Sequence, residues 1–328
     1  MPEWVVEKGI GETRAALVDG GRIVEARIEL DGTVPAGTIL EARLVDNGSS
    51  GRNGIARDED SGTEFLLRHV PREISQGSVV NIEVTRPAIP GPEPWKRPLA
   101  KATRDERRRP RSLAERLRSG DHPVRTVTFP SPRDELAEAG WDHLIEDARS
   151  GNVLFAGGSL GIFATPAMTL IDVDGSLPLA ELAAAGAGAA ASAVRRLDIG
   201  GSIGIDLPTV TGKAARQAAA EAIDFILPQP FERTAVNGFG FLQVIRPRNR
   251  ASLVELAENR SEFEARAVLR RAAVEGSGAL RIAAHPSVAA LLDSKPSWLE
   301  ALASQVGGSV TLRSDPSLPI HGAYAEKS

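Results

Sequence analysis

Short β-prone runs separated by turn residues fill the first part of the chain. Thr13 to Val18 and Arg22 to Ile28 flank Asp19-Gly20-Gly21, which supplies the positive φ of a tight reversal, so residues 13–29 are predicted as a β-hairpin. Residues 37–86 look all-β: Thr38 to Val45, Glu64 to Leu67 and Ser78 to Val84 read as strands around a Gly/Ser/Asn/Asp-rich stretch. Several short strands in so short a span suggest a small barrel. Pro87, Pro90, Pro92, Pro94 and Pro98 then leave residues 86–98 no room for regular structure.

From about residue 123 the pattern alternates between strands and helices. Val124 to Phe129 is strand-like, and Arg133 to Ser150 reads as one helix with Leu136, Trp141, Leu144 and Ile145 on its apolar face. Val153 to Phe155, Leu160 to Thr165 and Met168 to Val173 follow as strands. Ala180 to Leu197 is Ala-rich and helical despite Gly186 and Gly188. Ser202 to Asp206 is a buried strand, Thr211 to Leu227 a helix with Thr211 as N-cap, and Gly240 to Ile245 another strand. The remainder reads helix (262–275), strand (279–284), helix (286–304) and strand (308–313), a small α/β unit. No internal repeat is visible.

Composition narrows the class. At roughly 100–200 residues per domain, 328 residues suggest two or three domains. Hydrophobic residues are 42% but aromatics only 4%, so the core must rest on Val, Ile, Leu and Ala. There is no cysteine, which excludes disulfides and thiolate metal sites. No signal peptide and no membrane-length apolar run is visible, so a cytoplasmic location is expected. The net charge of -4 does not by itself suggest a nucleic-acid binder; the placement of the charges decides.

Two strands end in carboxylates. Met168-Thr169-Leu170-Ile171-Asp172-Val173-Asp174-Gly175 and Gly200-Gly201-Ser202-Ile203-Gly204-Ile205-Asp206-Leu207-Pro208 each run from apolar positions into an acid, with a turn signal close behind. An aspartate at the mouth of a buried strand is costly to desolvate without compensation, and a hard cation such as magnesium compensates it. Neighbouring strands would bring Asp172 and Asp206 to one ion, which would polarise a phosphodiester and activate a water. Taken alone, each acid reads first as a cap on a turn or a helix start.

The surroundings of these acids resemble the ribonuclease E/G family. Gly158-Ser159-Leu160-Gly161-Ile162-Phe163-Ala164-Thr165-Pro166-Ala167 leading into Met168 to Asp174 is similar to the first motif of that family, a glycine pair, apolar strand and polar turn before "thr-x-ile-asp-val-asn". Gly200 to Asp206 resembles the second, and Phe239-Gly240-Phe241-Leu242-Gln243-Val244-Ile245-Arg246-Pro247-Arg248 the downstream strand. Glu12 to Gly21 is close to the opening hairpin, and Arg281 to Ala289 resembles the small C-terminal domain. The resemblance follows chain order over nearly the whole length.

That resemblance implies Asp172 and Asp206 as magnesium ligands, with manganese as a possible substitute. Asp174 joins them as a catalytic candidate where the family has an asparagine that holds water or an inner-shell group; the exchange keeps an acceptor, loses the amide donor and adds charge. Residues 31–86 match an OB-fold RNA-binding insertion in place and pattern, with Phe65 aligned to a stacking aromatic and Ile55 at a second position that cannot stack. Phe65 is equally well placed as a core residue. The family's zinc-binding, subunit-linking cysteines are missing, so no zinc is expected and the chain should be a monomer or a metal-independent homodimer. Residues 87–123 are too few for the segment holding the family's 5′-monophosphate pocket. Gly238 replaces an arginine before Phe239-Gly240, and Thr209 an acid after the second motif.

Lys213 and Arg216 on one helix face, and Arg246 and Arg248 on one strand, are candidate RNA contacts. Arginines 104, 107, 108, 109, 111, 116 and 118 either grip phosphates or form a solvated segment balanced by Asp105, Glu106 and Glu115. Thr211-Gly212-Lys213 lacks the rest of a P-loop, and the five histidines form no ligand pattern. The expected fold is α/β and multi-domain. A ribonuclease H-like hairpin segment (1–30) precedes an inserted OB-like barrel (31–86), a Pro-rich and basic linker (87–123), and the continuation of the ribonuclease H-like layer (124–150). A DNase I-like catalytic region (151–250) and a small C-terminal α/β domain (251–328) follow. The expected activity is magnesium-dependent endonucleolytic cleavage of single-stranded RNA in processing or decay; the alternative is a catalytically weak or inactive RNA-binding protein with the same fold.

Overall fold

The protein is described by a computed structural model covering residues 1–48, 53–90, 96–129, 131, 133–275 and 277–327. Residues 49–52 of the Gly/Ser/Asn-rich turn region, and Pro92 and Pro94 of the Pro-rich stretch, lie outside these described residues.

Three strands open the chain: β1 (Glu3–Lys8), β2 (Glu12–Asp19) and β3 (Arg22–Leu30). β2 and β3 form the expected hairpin, turning at Gly20 and Gly21 with φ of 55° and 78°. β1 lies outside that hairpin and pairs antiparallel with β2. The barrel follows: β4 (Ile39–Asp46), β5 (Asn53–Arg57), β6 (Glu64–Arg68), β7 (Val79–Arg86) and β8 (Leu99–Ala102), closed in the order β4-β5-β6-β8-β7. Its closing strand corrects the reading of residues 87–123 as linker throughout. The proline-rich segment ends at Pro98, and the next four residues pair parallel to β6 and antiparallel to β7. Leu44, Phe65, Leu67, Ile82 and Val84 fill the barrel.

Helix α1 (Leu113–Leu117) is the only helix among the described residues of the arginine-rich stretch, held by a Ser112/Glu115 capping box. β9 (Val124–Val127) returns parallel to β1, so the barrel is inserted between two strands of one four-stranded sheet, β3-β2-β1-β9. The helix expected over 133–150 is two, α2 (Glu135–Glu138) and α3 (Trp141–Ser150), because Gly140 between them turns left-handed at φ 99°.

The second sheet contains β10 (Asn152–Phe155), β11 (Gly158–Ala164), β12 (Thr169–Gly175), β13 (Gly201–Asp206), β14 (Glu232–Arg233) and β15 (Phe241–Arg246), in the order β10-β11-β12-β13-β15-β14. Helix α4 (Leu179–Arg196) crosses from β12 to β13, and α5 (Lys213–Ile226) follows β13. The N-cap of α5 is Gly212 rather than Thr211 and makes no side-chain capping bond. α4 packs against α5 and touches β3 on one side and β11 and β12 on the other, so one apolar core joins both sheets through it. Gly186 permits this close seat: a Cβ there would stand 2.3 Å from Val173 Cγ1.

The C-terminal part comprises α6 (Leu253–Glu258), α7 (Arg260–Val274), β16 (Leu280–Ala284), α8 (Pro286–Asp293), α9 (Pro296–Val306), β17 (Val310–Ser314) and β18 (Tyr324–Lys327). Its sheet runs β17-β16-β18. The helix expected over 286–304 breaks before Pro296, which cannot donate to the preceding turn and forces Lys295 out of helical geometry. A buried ionic network joins α7 to the first sheet. Arg270 contacts Glu7 at 3.0 Å and Asp134 at 2.6 Å, Arg266 contacts Glu12 at 2.9 Å, and Arg14 bonds both Glu7 and Glu12. Among the described residues no helix is long and apolar enough to cross a membrane.

Candidate active site

Among the described residues, the helices cover one face of the six-stranded sheet and leave the other open at the carboxylates. Along β12 Thr169, Ile171 and Val173 are buried against the helix layer, whereas Asp172 and Asp174 are exposed on the opposite face. Along β13 Ile203 and Ile205 are buried and Asp206 is exposed. β12 and β13 are parallel neighbours with Asp172 directly in register with Asp206. The two carboxylates therefore stand side by side on one face, about 4.8 Å apart at the backbone. Asp174 stands two residues further along β12, opposite Ser159 of β11.

Burial, and then the charges of Asp174 and Asp206, push the Asp172 carboxyl above its ordinary value. Asp172 thus senses both neighbouring acids, and no cationic side chain is among the groups that act on it. Among the described residues no group of three or more His, Asp or Glu side chains is gathered into a ready-made metal site. The arrangement is instead a paired carboxylate, the donor set magnesium takes when waters and substrate phosphates complete its shell.

The loops around the pair are fixed by local chemistry. Gly240 has φ 93°, and a Cβ there would lie 2.1 Å from Leu207 O, so the turn before β15 needs glycine. Asn237 Oδ1 accepts from the backbone of Phe239 and Phe241 at 2.9 and 3.1 Å. The Thr209 hydroxyl donates to Phe239 O at 3.0 Å, tying the exit of β13 to that turn. Gly238 is exposed with open space where a Cβ would be.

The expected phosphate contacts divide. Lys213 begins α5 and is exposed, at the end of the sheet where Asp206 stands. Arg216 is committed to its own loop, donating to Val210 O at 3.0 Å and Thr211 O at 3.1 Å. Arg246 does not face the carboxylates: it pairs in register with Gly201, at the other end of β13, about 16 Å of strand away from Asp206. Its guanidinium donates to Ile199 O at 2.9 Å. Arg248 lies beyond the end of β15 and forms an ion pair with Glu255 of α6, so the two arginines do not alternate along one strand. Phe65 is fully buried in the barrel, at 0% exposure, and presents no ring face for stacking.

Residues that the sequence pattern did not single out share the open face with the acids. Leu154, Phe163 and Ile245 are 77%, 56% and 46% exposed there, and Phe239 in the adjoining turn is 82% exposed. Their strands read simply as apolar; which side of each strand lacks a helix is a tertiary fact. Compared with known proteins, the chain matches no family model and no curated protein.

Proposed function

We propose that the protein is a metal-dependent endoribonuclease acting on single-stranded RNA in processing or decay. The observation that carries this reading is the in-register pair Asp172 and Asp206 on adjacent parallel strands of an uncovered sheet face. The pair fits magnesium, and manganese by the same oxygen chemistry, because it concentrates negative charge that already raises the Asp172 carboxyl. A bound ion there supplies Lewis-acid polarisation of a phosphodiester and a more acidic water. Asp172 and Asp206 would hold the ion and orient it toward the face. Asp174, an acceptor without an amide donor, would receive a hydrogen bond from the attacking water. Lys213, exposed at the start of α5, would meet a substrate phosphate.

The finer fold reading belongs to the same proposal. The closed barrel serves as an OB-like RNA-binding module, the four-stranded sheet as a ribonuclease H-like layer and the six-stranded unit as a DNase I-like catalytic region. A second reading, an RNA-binding protein without useful catalysis, is favoured by one observation: all three acids are exposed on an open face rather than enclosed. One experiment separates the two. Purified protein is incubated with labelled single-stranded RNA, with magnesium or with a chelator. Cleavage is expected only with magnesium, and Asp172→Asn and Asp206→Asn should each slow it more than tenfold, about 1.4 kcal/mol of transition-state stabilisation, while RNA binding persists. Binding without cleavage in any metal would favour the second reading, and wild-type rates in either variant would remove the site assignment.

A further inference from the structure

We propose that the open face of the six-stranded sheet is a base-stacking platform, on which the rings of Phe163 and Phe241 hold nucleobases of single-stranded RNA on either side of the carboxylate pair; this rests on the ribonuclease reading above. The two phenylalanines stand on β11 and β15, the strands that flank β12 and β13. Their backbones are thus separated by three strand spacings and a stagger of two residues, about 16 Å in all, with Asp172 and Asp206 between them.

Glycines set where the rings lie. Gly161, in register with Asp172, leaves room over which Phe163 leans: a Cβ on Gly161 would meet the Phe163 ring carbons Cε2 and Cζ at 2.9 and 3.1 Å. Gly204 precedes Asp206 by two positions and lies on the same face. A Cβ there would meet Phe241 Cζ and Cε2 at 2.7 and 3.0 Å. The Phe163 ring thus lies across Gly161 beside Asp172, and Phe241, in register with Asp206, leans back across Gly204. Phe163 keeps 56% of its surface in solvent and Phe241 is half-buried, while Leu154, opposite Ser159, and Ile245, opposite Ser202, are exposed farther along the same face.

Charge selects the occupant. A second copy of the chain laid on this face would bring its own Asp172, Asp174 and Asp206 toward the first set and desolvate them, which is unfavourable. An apolar protein surface would desolvate them equally. Single-stranded RNA avoids this cost when a cation is bound, since its bases meet the rings while Asp172 and Asp206 would hold the ion that neutralises its phosphates. Every base has a π-face, so such stacking tolerates any sequence.

The test measures fluorescence anisotropy of labelled oligouridylate with calcium in place of magnesium, a hard cation that keeps the carboxylates paired without supporting cleavage. Loss of one stacked base is expected to weaken binding by roughly fivefold or more. Phe163→Ala and Phe163→Leu should both show this loss, Phe163→Tyr should bind as wild type, and Phe241→Ala should parallel Phe163→Ala. Phe163 is exposed, so its variants should fold, which circular dichroism checks. The same RNA with internal abasic sites should bind wild type more weakly while discriminating little between wild type and Phe163→Ala. Unchanged binding by both alanine variants, or additive losses with abasic RNA, would overturn the platform even if Asp172→Asn abolishes cleavage and the ribonuclease reading stands. Stacking by a protein that never cleaves would leave the platform standing and remove the ribonuclease reading. A fall in wild-type mass caused by Phe163→Ala, with RNA binding intact, would show a face that pairs two copies and would also overturn it.

Discussion

Asp172 and Asp206 take their meaning from a register that places two like charges side by side, and Asp174 adds a third two residues on. Asp174→Asn is therefore expected to act through charge. Burial and the two neighbouring carboxylates hold the Asp172 carboxyl high, so its ionised form persists only above a raised threshold. Removing the Asp174 charge lowers that threshold, and the acid limb of the cleavage pH profile should move to lower pH. A limb that stays in place would show that Asp172 ionisation does not govern activity. The carboxylate pair was legible in the sequence because each acid follows an apolar run with a turn signal close behind, although Asp172 lies midway along β12 and only Asp206 ends its strand. The rings of Phe163 and Phe241 were not, because a β-prone apolar run does not reveal which of its two faces a helix covers. Phe65 shows the converse: its place in an alternating strand suits an RNA contact and a core residue alike, and only closure of the barrel decides for the core.

At the scale of elements, the sequence pattern located strands and helices but misplaced breaks that depend on single residues. Gly140 and Pro296 each divide what periodicity reads as one helix. Strand β8 was missed because four residues after a proline run carry no pattern of their own; pairing with β6 and β7 makes them a strand. Gly186 gives this scale a quantitative test. In an exposed helix interior, replacing glycine by alanine stabilises by about 0.8–1 kcal/mol. Here the added methyl collides with Val173 at 2.3 Å, and overpacking a core costs about 1–3 kcal/mol. The collision should win, so Gly186→Ala is expected to lower the midpoint of urea unfolding. A raised midpoint would mean that α4 can lift off β12 at little cost.

The whole molecule is tied together by charges as well as by its apolar core. Glu7 and Arg270 are 2% and 5% exposed, so Arg270→Leu leaves a carboxylate buried without one of its partners. Breaking a buried pair from one side costs about 3–5 kcal/mol, a loss that urea unfolding at neutral pH should show. Burial alone would raise the Asp134 carboxyl, but bonds from Arg270 and the Ala137 N–H hold it below its ordinary value. A depressed carboxyl contributes stability that is complete above the unfolded value, near 3.8, and is lost as pH falls through the folded one. Asp134→Asn should therefore flatten the acid decline of stability below about pH 4. Assembly should not depend on zinc, since the chain has no cysteine. Light scattering is expected to give one mass with and without a strong zinc chelator, and a drop on chelation would reveal a metal link built from other residues.

The same ionic network sets an order of events during synthesis. Glu7 and Arg270 are 263 residues apart in the chain. At about 5–20 residues per second, the ribosome takes roughly 13–50 s to deliver the second after the first. Within that interval the opening strands can pair with one another and, once residues 124–127 are made, with β9, but the charges of Glu7, Glu12 and Arg14 have no α7 to close over them. A nascent chain cut short before Arg266 should thus keep its first sheet open to chaperones and proteases, and protection of the N-terminal strands should appear only once α7 has left the exit tunnel. The first residues made are among the last to be secured.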